Sequence, residues 1–302
     1  MQNIFPSALV PLRNAVEKAH LLCQNLRMTY LEQLEKSNEC VTLADFGTQV
    51  IINRALHNNF PQHTVVSEEN SQDFLKITSA DQRKFIVSAV SKILGENITQ
   101  GEFINWLDYG QDNISNKSWV IDPIDGTLEF LKSNQYVIGI GELENSIPIF
   151  SFLSSFSTFG KQPIHYFTWE GKSYKYVSND EIITELRVSD RPISTARPYC
   201  NNSDFSNLYK IDFIEADVFS TLNGYISIAS GESDVLISSN FANTSVKAWD
   251  HVGGITLLQN AGGVVSDIDG SELDFSHRHL LSNNTGVILS NGKFHEELLI
   301  KI

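Results

Sequence analysis

Two aspartates close together in the chain form the segment best suited to chemistry. Asp122 and Asp125 follow an apolar run typical of a buried strand, and Gly126 and Thr127 come directly after them. A buried carboxylate needs a cation or hydrogen-bond donors, so a core cannot hide both acids. Pro123 restricts the backbone, which lets both carboxylates converge, and Gly126 permits close approach. Such hard oxygen ligands, with a hydroxyl beside them, suit Mg²⁺.

The same residues could instead form an ordinary turn in which Asp and Thr side chains cap backbone groups. The whole hexapeptide at residues 122–127, Asp-Pro-Ile-Asp-Gly-Thr, is unusual, and we therefore prefer the metal-binding interpretation.

Three other segments supply acidic candidates. Glu68 and Glu69 follow a short predicted strand, although adjacent glutamates in a loop are often simply solvated. Asp250 opens a predicted helix, where an aspartate can serve as N-cap with one oxygen and keep the other for a metal. Asp45 lies three residues after Thr42, a spacing that also fits a capping box.

The hexapeptide at 122–127 resembles the signature of the Mg²⁺-dependent, lithium-sensitive phosphatases of the inositol monophosphatase superfamily. Three further segments resemble this family in the same order: Val-Thr-Leu-Ala-Asp at 41–45, Glu-Glu at 68–69, and Trp-Asp at 249–250 followed by Ala-Gly-Gly at 261–263. The resemblance covers nearly the whole chain. The first and last of these segments look most like those of the 3'(2'),5'-bisphosphate nucleotidases.

The resemblance implies a site with two or three Mg²⁺ ions. Its implied ligands are Glu68, Asp122, the Ile124 carbonyl, Asp125 and Asp250. Asp45 would hydrogen-bond Thr127, which would position the attacking water and help to take its proton. The implied reaction is an in-line displacement in which metal ions activate the water and neutralise the leaving oxygen. The resemblance leaves the role of Glu69 open.

The implied substrates are 3'-phosphoadenosine 5'-phosphate and its sulfated relative, and some family members also cleave inositol polyphosphates. The substrate-binding candidates are Gly126, Thr127, Lys247, Asp250, Thr221 and Arg197. Lys247 and Arg197 are the candidate cations for a second phosphate, although either could be a solvated surface charge.

The sequence departs from the family pattern at several points. Ser67 replaces a glycine before Glu-Glu, residues 128–129 replace a basic-Gly pair, residues 149–160 lack a Gly-Val-x-x-Cys-Pro run, and residues 220–225 lack a lysine seen in some members. Two alternatives therefore stay open. One is an inositol (poly)phosphate 1-phosphatase. The other is a catalytically silent phosphate-binding regulatory protein, which is disfavoured because no ligand-type residue is missing.

Composition limits the partners. The chain has 302 residues and a formal net charge of -14, which argues against a nucleic-acid polymer or an anionic membrane as partner. A small anionic substrate stays compatible, because a bound divalent cation inverts the local charge. The odd number of cysteines, the absence of a recognisable signal peptide and the lack of a long apolar stretch predict a cytoplasmic protein. Oligomeric state is not predicted.

Hydrophobic patterns predict the elements that hold these residues. Helices are expected over 7–36, from about 42 to Pro61, and over 79–94, followed by strands over 136–143, 147–153, 164–169 and 172–177. From about residue 178, short strands, among which we place 225–228, alternate with helices.

We therefore expect an α+β or α/β protein with the family's layered αβαβα fold. Residues 1–177 would form a subdomain with a mostly antiparallel sheet and most of the metal ligands. Residues 178–302 would form a mixed-sheet subdomain with Asp250 and the surface that selects the substrate.

Overall fold

A seven-stranded sheet forms the centre of the computed structural model, which describes residues 5–31, 43–110, 115–156, 162–177, 182–199, 220–238 and 246–301. The strands lie side by side in chain order: Thr64–Ser67 (β1), Lys117–Asp125 (β2), Tyr136–Glu144 (β3), Ile147–Phe156 (β4), Ile164–Trp169 (β5), Lys172–Val177 (β6) and Ile182–Glu185 (β7). β1 and β2 are parallel, and every other neighbouring pair is antiparallel.

A second, three-stranded antiparallel sheet has the order β8-β10-β9. Its strands are Val235–Ser238 (β8), Val264–Ser266 (β9) and Val287–Ser290 (β10). Its described strands all pair antiparallel, in contrast to the mixed sheet predicted for this half of the chain, and an isolated parallel bridge between Pro198 and Val235 lies outside the named strands.

The helices of the described chain pack on both sheets. They are Val10–Leu31 (α1), Leu43–Asn59 (α2), Ser71–Ile77 (α3), Ala80–Leu94 (α4), Gln100–Leu107 (α5), Thr127–Ser133 (α6), Thr221–Ala229 (α7), Trp249–Asn260 (α8) and His295–Lys301 (α9). Local sequence sets several boundaries. Ser79 and Thr99 begin α4 and α5 with capping boxes, and Gly95 ends α4 in a left-handed conformation.

Both faces of the large sheet are buried, because alternate strand residues belong to different cores. Val65, Trp119 and Ile121 join the core beneath α1 and α2. Val66 and Val120 point the other way, into the core formed with α7 and α8. Successive side chains of a strand point to opposite faces, so strands covered on both sides are apolar throughout.

Five layers follow from this arrangement. The helices α1 and α2 cover the large sheet on one side, and α7 and α8 cover it on the other. The three-stranded sheet packs on α7 and α8 through Val287 and Leu289, and Ile288 on its far face meets Leu298 of α9. The αβαβα fold expected from the sequence is confirmed.

One predicted element is wrong. Residues 225–228, grouped with the short strands, belong to helix α7. This helix lies between two sheets, and its buried residues run from Leu222 to Ala229 with one gap, at Asn223. A helix buried on all sides loses the three- and four-residue apolar spacing that distinguishes it from a strand. The short elements α3, α5, α6 and β7 were not predicted.

Two further predictions, the first helix and the division of the chain into subdomains, can be compared only in part with the described residues. The first predicted helix begins as a 3₁₀ turn at Ser7–Leu9 and continues as α1 to Leu31, and residues 32–36 lie outside the described part. The division at residue 177 stays a prediction. Strand β7 lies beyond that position and pairs with β6.

No helix within the described ranges is both long and apolar enough to cross a membrane. Cys23 is a buried free thiol, and Cys40 and Cys200 lie outside the described residues. The cytoplasmic location stays a prediction.

Candidate metal centre

The parallel pairing of β1 and β2 brings the first two acids together. Ser67 is paired with Ile121, the last residue pair of this ladder. The next residues, Glu68 and Asp122, therefore emerge side by side at the same edge of the sheet. Asp122 is buried and Glu68 is partly exposed, so of the two carboxylates Glu68 is the one nearer to solvent.

A bulge then turns β2 so that Asp125 joins them. Asp122 lies opposite Gly139 and Asp125 lies opposite Val137, so β2 uses one residue more than β3 over this step. Pro123 falls inside the bulge, where a missing backbone N–H costs no ladder hydrogen bond. The Ile124 N–H donates to Asp122 Oδ1 at 3.1 Å, which fixes this carboxylate.

The N-terminus of α7 holds the Asp125 carboxylate. The Leu222 N–H donates to Asp125 Oδ2 at 2.6 Å, and the Ser220 hydroxyl and Thr221 N–H also donate to it. Burial and the neighbouring Asp250 carboxylate nevertheless raise the pKa of Asp125 to about 7. A residue from the first half of the chain is thus held by a helix from the second half.

Glycine makes this contact possible. A Cβ added at Gly139 would lie 2.4 Å from Leu222 Cδ1. This distance is well inside van der Waals contact, so a larger residue at this position would require the Leu222 side chain to move.

Asp45 brings a third element into the site. One carboxylate oxygen from each of Asp45, Glu68 and Glu69 lies within 4.8 Å of the other two. Asp45 is in the first turn of α2, and Gln49 lies one turn further along the same helix. The Gln49 side chain donates to the Glu69 carbonyl at 2.7 Å and accepts from the Glu69 N–H at 2.9 Å. This paired contact fixes the backbone that carries both glutamates.

Glu69 is the acid whose role the sequence left open, and the structure includes it in the cluster. Its side chain is only 6% exposed. Burial, with Asp45 and Asp73 nearby, raises the pKa of Glu69 to about 8. Burial and the charges of Asp45, Glu69, Asp250 and Asp125 raise the pKa of Glu68 to about 9. The sequence signal that could have identified Glu69 is Gln49, which lies four residues after Asp45 and can reach the loop that carries Glu69.

Asp250 completes the acidic cluster from α8. It lies inside the first turn of this helix, and Ala248 occupies the N-cap position, so the N-cap alternative for Asp250 is wrong. Burial raises the pKa of Asp250 to about 6, although the Lys247 N–H donates to its carboxylate and the Lys247 ammonium opposes the shift.

The electrostatics of the site favour a cation. Burial raises the pKa of Asp122 well above its ordinary value, and the charges of Glu68, Asp125, Asp250 and Asp45 add to this effect. The Lys247 ammonium acts on Asp250 and offsets a small part of this negative charge. Six acids packed together, Asp45, Glu68, Glu69, Asp122, Asp125 and Asp250, form an all-oxygen donor set that fits Mg²⁺.

The remaining candidates are placed as follows. The Thr127 hydroxyl donates to the Ile124 carbonyl at 3.2 Å, in the turn that Gly126 makes with a φ of 90°. The predicted bond between Asp45 and Thr127 stays a prediction. For Arg197 the structure gives an exposed side chain and a backbone N–H that donates to Asp234 Oδ2 at 2.6 Å.

Comparison with known proteins identifies the family of this chain. The sequence model of the inositol monophosphatase family matches residues 12–302. The chain belongs to this family. The family resemblance seen in the sequence is confirmed, and so is the prediction of a phosphoric monoester hydrolase.

The alignments with similar proteins span most of this chain. A 3'(2'),5'-bisphosphate nucleotidase of Dictyostelium discoideum is 25% identical over 314 residues, which cover 95% of this chain and 94% of the relative. One of Schizosaccharomyces pombe is 28% identical over 291 residues, with 86% and 82% covered. Inositol monophosphatase II of Staphylococcus aureus superposes with a TM-score of 0.63 at 18% identity, with 96% and 92% covered. At this identity the likeness shows the fold alone.

Proposed function

We propose that the protein is a Mg²⁺-dependent phosphatase that removes the 3'-phosphate of 3'-phosphoadenosine 5'-phosphate and releases AMP and phosphate. The observation that carries this proposal is the convergence of six acids from β1, β2, α2 and α8 at one edge of the sheet. The names of the relatives support the choice of substrate. The sulfated relative of this nucleotide and inositol 1,4-bisphosphate are further candidate substrates.

The proposed metal ligands are Glu68, Asp122, the Ile124 carbonyl, Asp125 and Asp250, for two or three ions. When bound, Mg²⁺ supplies a Lewis acid that lowers the pKa of a water and neutralises the departing oxygen. Glu69 lies close enough to Asp45 and Glu68 to join them in holding an ion.

In the structure the Thr127 hydroxyl donates to the Ile124 carbonyl. For catalysis we propose that this hydroxyl turns to donate to the Asp45 carboxylate, so that Thr127 Oγ1 can accept a proton from the water while its own proton passes to Asp45. We assign the orientation of Thr127 and the final acceptance of this proton to Asp45. The two residues would then align the water with the phosphorus atom and remove its proton during attack.

The proposed substrate carries a second phosphate that needs its own cation. Lys247 is the first candidate, because it lies three residues before Asp250 and its charge acts on that carboxylate. Arg197 is the second candidate. Gly126 and Thr221 are proposed to contact the substrate from the turn before α6 and the start of α7.

A phosphate-release panel with Mg²⁺ tests the proposal. It compares 3'-phosphoadenosine 5'-phosphate, inositol 1,4-bisphosphate and inositol 1-phosphate, and Asp122→Asn serves as the control for contaminating phosphatases. We expect the highest kcat/KM for the nucleotide, with AMP as product. A preference for inositol 1-phosphate would overturn the nucleotidase assignment and favour an inositol phosphate phosphatase. No turnover of any substrate would favour the phosphate-binding alternative.

A further inference from the structure

A fully buried glutamine of α2 connects this helix to the backbone that carries two of the six acids. Gln49 Nε2 donates to the Glu69 carbonyl at 2.7 Å and to the Leu107 carbonyl at 2.9 Å, and Gln49 Oε1 accepts the Glu69 N–H at 2.9 Å. Both N–H groups of the amide and its oxygen therefore have partners. A buried amide is tolerated only with such partners, because an unpaired one costs more than an apolar side chain would.

The two bonds to Glu69 fix the peptide planes on both sides of this residue. The Glu69 N–H belongs to the planar unit that also contains the Cα atom of Glu68, and the Glu69 carbonyl belongs to the unit that leads to Asn70. Holding both planes sets the directions in which the two glutamate side chains leave the backbone. These are the side chains whose carboxylate oxygens approach within 4.8 Å of each other and of Asp45.

The glutamine shares one face of α2 with Asp45. The two residues are four positions apart, about 6 Å along the helix axis, and both are buried. One rigid helix therefore supplies the Asp45 carboxylate directly and, through Gln49, holds the backbone that presents Glu68 and Glu69. The relative placement of these three acids depends on the amide between them.

The next residue on this face holds a different part of the chain. Asn53, four positions after Gln49, donates through Nδ2 to the Trp106 carbonyl at 2.8 Å and to the Leu107 carbonyl at 3.4 Å. These carbonyls are at the end of α5, so Asn53 packs α5 against α2. Gln49 shares this task through Leu107 and has the bonds to Glu69 in addition.

We propose that Gln49 is a positioning residue of the metal centre, whose amide holds Glu68 and Glu69 where they can bind a cation together with Asp45. Its contribution is to the affinity of the site for Mg²⁺, and it is separate from the docking of α5. The inference rests on the Mg²⁺ site of the proposed function, and it adds a residue that touches neither the ion nor the substrate.

The decisive variant is Gln49→Met, which keeps an unbranched side chain of similar size and removes the amide. We expect the dissociation constant for Mg²⁺, measured by calorimetric titration of the folded protein without substrate, to rise about tenfold. Groups that orient metal ligands typically contribute about ten- to a hundredfold to metal affinity. Phosphate release should need a correspondingly higher Mg²⁺ concentration for its half-maximal rate. The melting temperature in EDTA should fall, because the Glu69 N–H loses its partner.

Asn53→Leu is the matched control. It removes an amide of similar size from the same buried face, and its bonds reach α5 alone. This variant should also melt at a lower temperature in EDTA, but its dissociation constant for Mg²⁺ should equal that of the wild type. Gln49→Asn keeps the amide and shortens the side chain, so it cannot hold both Glu69 groups and should weaken Mg²⁺ binding as Gln49→Met does. It decides the question where Gln49→Met does not fold.

An unchanged dissociation constant in a folded Gln49 variant would overturn the positioning role and leave the proposed function standing. An equal rise in Asn53→Leu would also overturn it, because the effect would then follow from lost stability alone. A wild-type protein that binds no Mg²⁺ would overturn both this role and the proposed function.

Discussion

Asp122 is the acid on which the other carboxylates of the site converge. Four of them raise its pKa in addition to burial, which suits a residue that bridges cations. We expect Asp122→Asn to lose turnover by about a thousandfold or more, because metal stabilisation worth several kcal/mol is removed. The fold should survive, since the Asn Oδ1 can still accept the Ile124 N–H. Steady-state kinetics and a melting curve check both statements, and a folded variant with a near-normal rate would contradict the metal assignment.

Thr127 has a single hydroxyl placed at the turn into α6. We expect Thr127→Ala to lower kcat by about a hundredfold and to change KM little, because the attacking water is aligned mainly in the transition state. Thr127→Ser keeps the hydroxyl and is the matched control, so its kcat should stay within a few-fold of the wild type. A tenfold rise in KM with unchanged kcat would instead make Thr127 a substrate-binding residue.

At the scale of single residues, the sequence was a better guide to which residues belong to the site than to which residues they contact. The acids of the site were found from short motifs that carry their own chemistry. Glu69 was left open because nothing in its own segment distinguishes it from a solvated glutamate. Its position depends on Gln49, which lies 20 residues earlier and reaches it only in the folded chain.

Among the elements, α1 is joined to the large sheet by a buried polar chain. His20 Nδ1 lies 2.8 Å from the Tyr136 hydroxyl, His20 Nε2 lies 2.7 Å from Ser154 Oγ, and Ser154 Oγ lies 2.8 Å from His165 Nδ1. His165 continues toward the partly exposed Glu17, at 3.6 Å. The chain connects α1 with β3, β4 and β5.

This chain makes stability sensitive to acid. Burial lowers the pKa of His20 well below its ordinary value, and the nearby His165 lowers it further. Below about pH 6.5, His20 takes up a proton in the unfolded chain but stays neutral in the folded protein. Its contribution to the stability of the fold is therefore complete above that pH and is lost as the pH falls.

We expect His20→Gln to be less stable than the wild type at pH 8, because it disturbs the hydrogen-bonded chain. The difference in unfolding free energy should narrow by about 1 kcal/mol between pH 6.5 and 5.5. Urea unfolding of both proteins at the three pH values, with Mg²⁺ present, measures this. A difference that stays constant with pH would show that His20 is not neutral in the folded state.

The elements themselves were predictable where one periodic pattern dominated. The long helices and the strands β3 to β6 have clear apolar spacing and ordinary turns, so the sequence was sufficient to find them. Residues of α7 were predicted to form a strand because a helix that is buried on all sides lacks the three- and four-residue apolar spacing of a surface helix. The bulge in β2 could not be foreseen, since it depends on pairing with β3.

At the scale of the whole molecule, the site is assembled from both halves of the chain. Asp122 and Asp125 come from β2, and Asp250 comes from α8, more than a hundred residues later. The family resemblance predicted this combination. Its geometric basis, a carboxylate of β2 capped by the N-terminus of α7, required the structure.

An all-oxygen site shared in this way should be sensitive to lithium. Li⁺ is small and hard enough to enter a Mg²⁺ position, but it supplies half the charge. We expect millimolar LiCl to inhibit phosphate release, and NaCl at equal ionic strength to have little effect. Full activity at high Li⁺ and low Mg²⁺ would count against the assignment.

The bulged strand β2 also bears on ion choice. Asp122 and Asp125 both pair with β3, so the sheet fixes the separation of the two backbone positions that carry these carboxylates. Mg²⁺ binds oxygens at about 2.0–2.1 Å, whereas Ca²⁺ needs about 2.3–2.6 Å and more ligands. A strand held by its neighbours keeps these two positions at a fixed separation. We therefore expect calcium to compete for the site without aligning the water and the phosphate.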